Sequence, residues 1–242
     1  MPFTPAHTSV VLPLLRLRPQ LVSATALVIG SVAPDFEYFL KMSVSSVYSH
    51  TLLGILYFNI PITIVLAFLF HGVVKRNLIA NLPVFFQYRF HDLLTLDFKK
   101  YFKSYFWIVI VSAGIGSFSH LFWDAFTHND GYFAQRISLY KHVVIPFDGV
   151  RYPLFYGLQH ISTVMGIIIL AVYTVMIKPQ KIHLIKKPGL TYWLLILTIS
   201  VFILFFRFAI SPDELDLGNF VVSFISSLLV ALIIAGFVKF KN

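Results

Sequence analysis

Between residues 116 and 131 the chain reads GSFSHLFWDAFTHNDG, an apolar run interrupted by groups able to bind a cation or move a proton. Wound as a helix, it places His120 and Asp124 about 40° apart, Thr127 about 20° to the other side of His120, and His128 one turn beyond Asp124. Two imidazoles and a carboxylate at i, i+4 and i+8 thus share one stripe. Those nitrogen and oxygen donors suit Zn²⁺ or a similar divalent ion. A hydrogen-bonded polar patch is the plainer alternative for a single pair. Four aligned polar residues on an otherwise apolar helix point instead to a metal or to catalysis, because ionisable groups at membrane depth are costly and mark functional sites.

Other candidates lie at the ends of apolar stretches: Pro34-Asp35-Phe36-Glu37, Ser49-His50-Thr51 and Gln159-His160, with His7 near the start. Taken singly, Asp35 reads as a helix cap and His50 as the neighbour of one. Brought to one interface with His120, Asp124 and His128, they read as ligands. His7 joins them only if the first 40 residues return to their starting side. His71, His91 and His183 fall among Lys and Arg and read as ordinary interfacial residues. His142 lies in a loop with Arg136, Lys141 and Arg151, cations suited to holding a phosphate or simply solvated. Asn59 and Pro61, inside an apolar run, mark helix packing or a kink.

The elements that must position these groups follow from composition. Of 242 residues 58% are hydrophobic, 17% aromatic and only 12% charged, and mean hydropathy is +0.82. A water-facing shell cannot be built from that, whereas apolar runs of about 20 residues match the length needed to cross hydrocarbon. Five firm spans are expected: 52–74, 105–126, 154–177, 190–209 and 220–238. Before them, 7–17 and 21–32 read as a helical hairpin with Pro19 at its bend, since proline suits a new first turn. The segment 82–106 mixes aromatics and Leu with Lys, Arg and Asp at helical spacing, the pattern of an interfacial amphipathic helix. The expected fold is therefore an all-α polytopic bundle forming one integral membrane domain over 1–242, with no internal repeat. The opening MPFTPAHTSV lacks a basic n-region and a small-residue cleavage site, so no removable signal peptide is expected.

The net charge of +9 reads as an orientation signal beside an anionic leaflet rather than as a nucleic-acid surface. Fourteen Lys and Arg lie in 75–104, 178–188, the hairpin bend and the C-terminal end, against four in 34–51 and 127–153. The alternation puts the C-terminus in the cytoplasm, the amphipathic helix on the cytoplasmic face, and 34–51 and 127–153 outside. With no cysteine, thiolate zinc sites, iron–sulfur clusters, disulfides and cysteine nucleophiles are excluded, while nine His remain.

The segments MPFTPAH, ALVIGSVAPDFEYF, YSHTLLG, GSFSHLFWDAFTHNDG and YGLQHIS, spread from residue 1 to about 166, carry a resemblance. The sequence resembles the bacterial membrane family catalogued as domain of unknown function 4184 and, more distantly, the predicted membrane-bound metal-dependent hydrolases. By motif, that resemblance implies His7, Asp35, His50, His120 and Asp124 as ligands, with Glu37, His128 and His160 matching the narrower family. Glu37 departs from the wider group, which tends to carry a second Asp there.

Together these readings give two expectations of different class. In the first, one or two divalent ions, most plausibly Zn²⁺, are held at the outer interface of a bacterial inner membrane and activate water. Asp35, Glu37 and His128 are the candidate catalytic groups, Asp35 or Glu37 orienting or deprotonating the water. Arg136, Lys141 or Arg151 would steady a phosphate. The substrate would be a lipid or lipid-linked molecule, phosphoester before amide or acyl ester, because such a molecule arrives by lateral diffusion. The second is a non-catalytic transporter or metal-stabilised scaffold. A transporter would need a polar route across the bilayer, and 190–209 and 220–238 offer nothing ionisable at mid-depth.

Overall fold

The computed structural model describes residues 3–180 and 188–240, the side chain of Lys141 excepted. His183 lies outside the described residues. In chain order, the helices that frame the fold are α1 (Ala24–Gly30), α2 (Phe36–Lys41), α3 (Leu52–Asn81), α4 (Phe106–Thr127), α5 (Leu154–Met176), α6 (Leu190–Ile210) and α7 (Leu217–Gly236). From α3 onward each is long and apolar enough to cross a membrane. The protein is an all-α polytopic helical bundle, with span ends within three residues of those expected except that α3 runs seven residues further, to Asn81.

The fold has two compact units, 1–35 with 48–64 and 105–176, and 36–47 with 65–104 and 177–242. Three segments of each alternate along the chain. No linker or shift in composition therefore marks the division in the sequence.

In the first unit the sides of the helices are reversed relative to a water-soluble protein. On α4, Phe118 and Phe122 are about half exposed, at 51% and 50%, while His120 is wholly buried. Hydrocarbon solvates the phenyl rings and not the imidazole, so the polar stripe turns inward.

The N-terminal hairpin has two short arms. The first is a chain of single turns, Thr4–His7, Thr8–Val11 and Leu12–Arg16, with Pro5 and Pro13 in the opening turns of its 3-10 pieces. The second is α1, and Pro19 sits at the bend, in a turn closed by Leu21 N–H to the Arg18 carbonyl at 2.8 Å. Neither arm reaches the ~20 residues of a spanning helix. α1 lies along α4 in the same direction: Ser23 N–H donates to Ser112 Oγ at 2.9 Å, and Ser117 Oγ to the Gly30 carbonyl at 3.1 Å. Glycine makes this approach possible. A Cβ at Gly116 would stand 2.4 Å from the Leu27 carbonyl oxygen, and one at Gly30 would stand 2.6 Å from that of Ala113.

Within α3 a π-helical stretch, Ile55–Asn59, precedes Pro61. Proline has no N–H and its ring crowds the carbonyl four residues back, so widening the helix just before it relieves both conflicts. The expected kink thus takes the form of a bulge. The loop after α4, which carries no strand signal in the expected all-α pattern, contains an antiparallel pair, β1 (Val144–Phe147) and β2 (Val150–Pro153). Asp148 and Gly149, both at positive φ, make its two-residue turn.

In the second unit α6 and α7 meet where Tyr192 and Ile196 pack on Ala231 and Ala235. Its amphipathic segment is three pieces rather than one helix: Val84–Phe90, Asp92–Thr95 and Phe98–Ser104. Two contacts break it. Lys75 Nζ donates to the carbonyls of Leu93 and Leu96 at 2.9 and 2.6 Å, taking them out of a helical ladder, and Asp97 Oδ1 accepts from Lys100 N–H to start the last piece. His71, expected to be an ordinary interfacial residue, is buried and stacks on Phe98 with ring centroids 4.8 Å apart.

Candidate metal centre

Each donor of the candidate site is set by its own piece of chain. His120 and Asp124, one turn apart, lie on the buried stripe of α4. His120 Nδ1 is 2.8 Å from the Ser31 carbonyl, which can only accept, so Nδ1 carries the proton and Nε2 faces the site. Asp35 ends the 3-10 turn Ala33–Asp35, and its Oδ2 accepts from the Thr4 hydroxyl. That contact brings the start of the hairpin back to its end and puts His7 beside His120, rings stacked at 3.7 Å. His50 precedes α3, where Thr51 Oγ1 accepts from Gly54 N–H. Its Nδ1 is 3.0 Å from Ser49 Oγ, and the Ser49 carbonyl is held by Asn59 Nδ2 at 2.9 Å.

Donor atoms converge in two overlapping groups of three, His7–His120–Asp124 and Asp35–His50–His120. His120 Nε2 lies 3.1 Å from Asp124 Oδ2 and 3.5 Å from Asp35 Oδ1, and His50 Nε2 lies 3.3 Å from Asp35 Oδ1 and 3.8 Å from Asp124 Oδ2. Within this group, Asp35 Oδ1, His120 Nε2 and both oxygens of Asp124 are buried with no hydrogen bond of acceptable geometry. Buried polar atoms left this way cost free energy unless something else binds them. Two buried carboxylates also need two positive charges nearby, and one divalent cation supplies them. The donor set therefore fits a divalent metal.

Two groups outside the spans have their protonation states set by the same surroundings. Burial, reinforced by the neighbouring His120, pushes His7 down to about 3 despite the attraction of Asp124 and Asp35. For Asp35 burial works toward the neutral acid, but the neighbouring His120, then His50, outweigh it and hold the carboxyl below its usual range. A neutral imidazole and an ionised carboxylate are the forms that ligate metals.

The family model of Domain of unknown function (DUF4184) matches residues 1–237. The chain belongs to that family. No curated protein and no solved structure matches it.

In this DUF4184 chain the sequence-derived candidates separate. His7, Asp35, His50, His120 and Asp124 come together, the groups His7–His120–Asp124 and Asp35–His50–His120 each having donor atoms within 4.8 Å. His128 joins their edge, Nδ1 3.3 Å from Asp124 Oδ1, and its side chain is 23% exposed. Glu37 is otherwise engaged: its carboxylate accepts from Lys41 Nζ at 2.6 Å, Ser46 Oγ at 3.1 Å and Val47 N–H at 2.9 Å, closing the turn after α2. His160 is exposed and meets the Tyr156 ring edge-on at 4.6 Å, while the preceding Gln159 is buried. Adjacent residues on a helix diverge by about 100°, so this pair cannot share a face. Arg136 lies over the Tyr132 ring at 3.8 Å and Arg151 is exposed on β2. Lys141's side chain lies outside the described part.

Thr4 and Ser31 orient candidate donors and were not singled out in the sequence, where Ser49 stood only as the neighbour of His50. Thr4 and Ser49 stand within the segments MPFTPAH and YSHTLLG, close enough in sequence to their histidines to have been weighed. Ser31 acts through its carbonyl, which no residue type advertises.

Proposed function

We propose that the protein is a divalent-metal-dependent hydrolase acting on a lipid or lipid-linked substrate at a membrane interface, a phosphoester first and an amide or acyl ester next. The observation that carries this is the cluster of His and Asp donors around His120, Asp35 Oδ1, His120 Nε2 and Asp124 Oδ2 among them buried without a hydrogen bond. Asp35, His50, His120 and Asp124 would hold the ion, with Zn²⁺ the first to test. A cation bound this way lowers the pKa of a coordinated water to about 7 and polarises an ester oxygen.

The chain's own groups do the positioning. Ser31 fixes the ring of His120 and Thr4 the carboxylate of Asp35, so these two wholly buried donors form the closed back of the site. His50 and His128, with side chains 22% and 23% exposed, form its open edge, where water and substrate enter. The lipid reading rests on a polar site set among apolar helices, which a membrane-dissolved substrate reaches sideways. The proposed setting is a bacterial inner membrane, site at the outer face and C-terminus cytoplasmic, from the distribution of Lys and Arg.

A second reading, a metal-stabilised scaffold, draws on the complete burial of Asp35 and His120, as in a closed structural shell. Purified protein loaded with Zn²⁺ or Mn²⁺ and given mixed bacterial phospholipids separates them. Release of water-soluble headgroups that disappears in His120→Ala supports the hydrolase. Bound metal with no turnover of any lipid, phosphoester, amide or acyl ester supports the scaffold. No metal at any loading overturns both.

A further inference from the structure

Beyond Pro61, α3 widens a second time, over Phe70–Val74, and here no proline follows within the helix to account for it. Single π-helical turns are frequent at functional sites. His71 and Gly72 of this turn line a cavity of about 510 Å³, together with Lys75, Arg76 and the segment from Leu94 to Lys99. The whole lining belongs to the second unit, and none of it is a candidate for the metal centre. A Cβ at Gly72 would meet nothing within 4 Å, so the glycine leaves room on the cavity side that packing does not use.

The charge of the lining is one-sided. Lys75, Arg76 and Lys99 are cations, and the carboxylate among them, that of Asp97, is engaged by Lys100: Oδ1 accepts the Lys100 backbone N–H at 3.1 Å and Oδ2 lies 3.6 Å from its Nζ. Lys75 is only 4% exposed, and its ammonium donates to the carbonyls of Leu93 and Leu96. An ammonium has a further hydrogen to give. Among the described residues the ion pairs of Lys and Arg are those of Lys41, Lys100 and Arg207, so none of the three lining cations has a counter-ion in contact. A buried charge in that position is costly, and a bound anion offsets the cost. The other wall is apolar, with the Phe68 and Phe98 rings meeting edge-on at 5.2 Å.

We propose that this cavity binds the phosphate of an anionic lipid headgroup, with Lys75, Arg76 and Lys99 around the phosphate and Phe68 and Phe98 beside the carbons it carries. Free phosphate shares the charged half of this chemistry but leaves the aromatic wall unused. On the orientation proposed above, the cavity faces the cytoplasmic leaflet, whose surface is negative, and basic pockets there take acidic headgroups. The inference involves no metal and does not depend on the hydrolase reading.

Full-length protein in a neutral detergent, titrated with phosphatidylglycerol or phosphatidylcholine and with inorganic phosphate as competitor, tests this by native mass spectrometry, which counts bound lipids. The expected result is one tightly held phosphatidylglycerol per chain and weaker binding of phosphatidylcholine. Arg76→Gln and Lys99→Gln should each weaken phosphatidylglycerol binding about 10-fold, the usual contribution of a hydrogen bond to a charged group. Lys103→Gln, an equal change of charge on an exposed residue outside the lining, should leave it unchanged. Gly72→Leu, which places a side chain in the cavity, should abolish binding while thermal unfolding stays that of the unaltered protein. Equal losses in Arg76→Gln and Lys103→Gln would mean diffuse attraction by the basic segment and would overturn the site. Full binding by Gly72→Leu, or equal affinity for phosphatidylcholine, would overturn it as well. Displacement of the lipid by an equal concentration of inorganic phosphate would assign the cavity to a soluble phosphate and overturn the lipid.

Discussion

The Thr4 hydroxyl donates to Oδ2 of Asp35 across thirty-one residues, both side chains buried. With the bond between the Thr8 and Ser31 hydroxyls it closes the N-terminal hairpin and brings His7 to α4, and it leaves Asp35 with Oδ1 alone to turn toward His50 and His120.

Removing that donor should therefore weaken the site without touching a ligand. Thr4→Val is expected to lower metal affinity by about 10-fold, within the range found for residues that orient ligands, and Thr4→Ser to restore it. Isothermal titration with a divalent cation reads this directly. Equal affinities for the unaltered protein and Thr4→Val would mean that Asp35 is oriented by its other neighbours.

The contact of α1 with α4 has no room for a side chain at residue 116. Gly116→Val should destabilise the fold by ~1–3 kcal/mol, the usual cost of overpacking, and draw His120 away from the Ser31 carbonyl. Gly72, where a Cβ would meet nothing within 4 Å, supplies the control: Gly72→Ala should leave stability unchanged or raise it by ~0.5–1 kcal/mol. Thermal unfolding in one detergent compares the two, and a tolerated valine at 116 would contradict the packing described.

Acid should act on the metal-free fold through His7. Its folded pKa of about 3 lies below the ordinary imidazole value of 6.5, so the unfolded chain binds a proton that the folded chain refuses between those values. Stability from this group is present above pH 6.5 and is lost progressively as pH falls toward 3. His7→Phe, which titrates in neither state, should flatten the decline between pH 7 and pH 5. Parallel curves for the two proteins would remove His7 as its source.

Orientation is open to labelling because the chain has no native cysteine. An impermeant thiol reagent added to intact cells should modify Arg136→Cys and spare Lys181→Cys. The opposite pattern would reverse the topology read from the fourteen-to-four distribution of Lys and Arg.

Much of this was legible in the chain itself. Spans α3 to α7 follow from uninterrupted apolar runs, because hydrocarbon demands a helix of about 20 residues and that demand is local. The stripe of His120, Asp124 and His128 is likewise a matter of helical spacing. Asp148-Gly149 is likewise a turn signal in the sequence, since both residues tolerate positive φ.

Only the tertiary structure decided which distant donors join that stripe. Asp35 and Glu37 are two residues apart in one motif, yet Asp35 is drawn to Thr4 and the histidines while Lys41, Ser46 and Val47 take Glu37. Gln159 and His160 are adjacent, yet the helix buries the amide and exposes the imidazole. Sequence spacing sets the face of a single helix. Which faces meet depends on where a side chain is missing, as at Gly30 and Gly116, and on which carbonyls, such as that of Ser31, are left to accept.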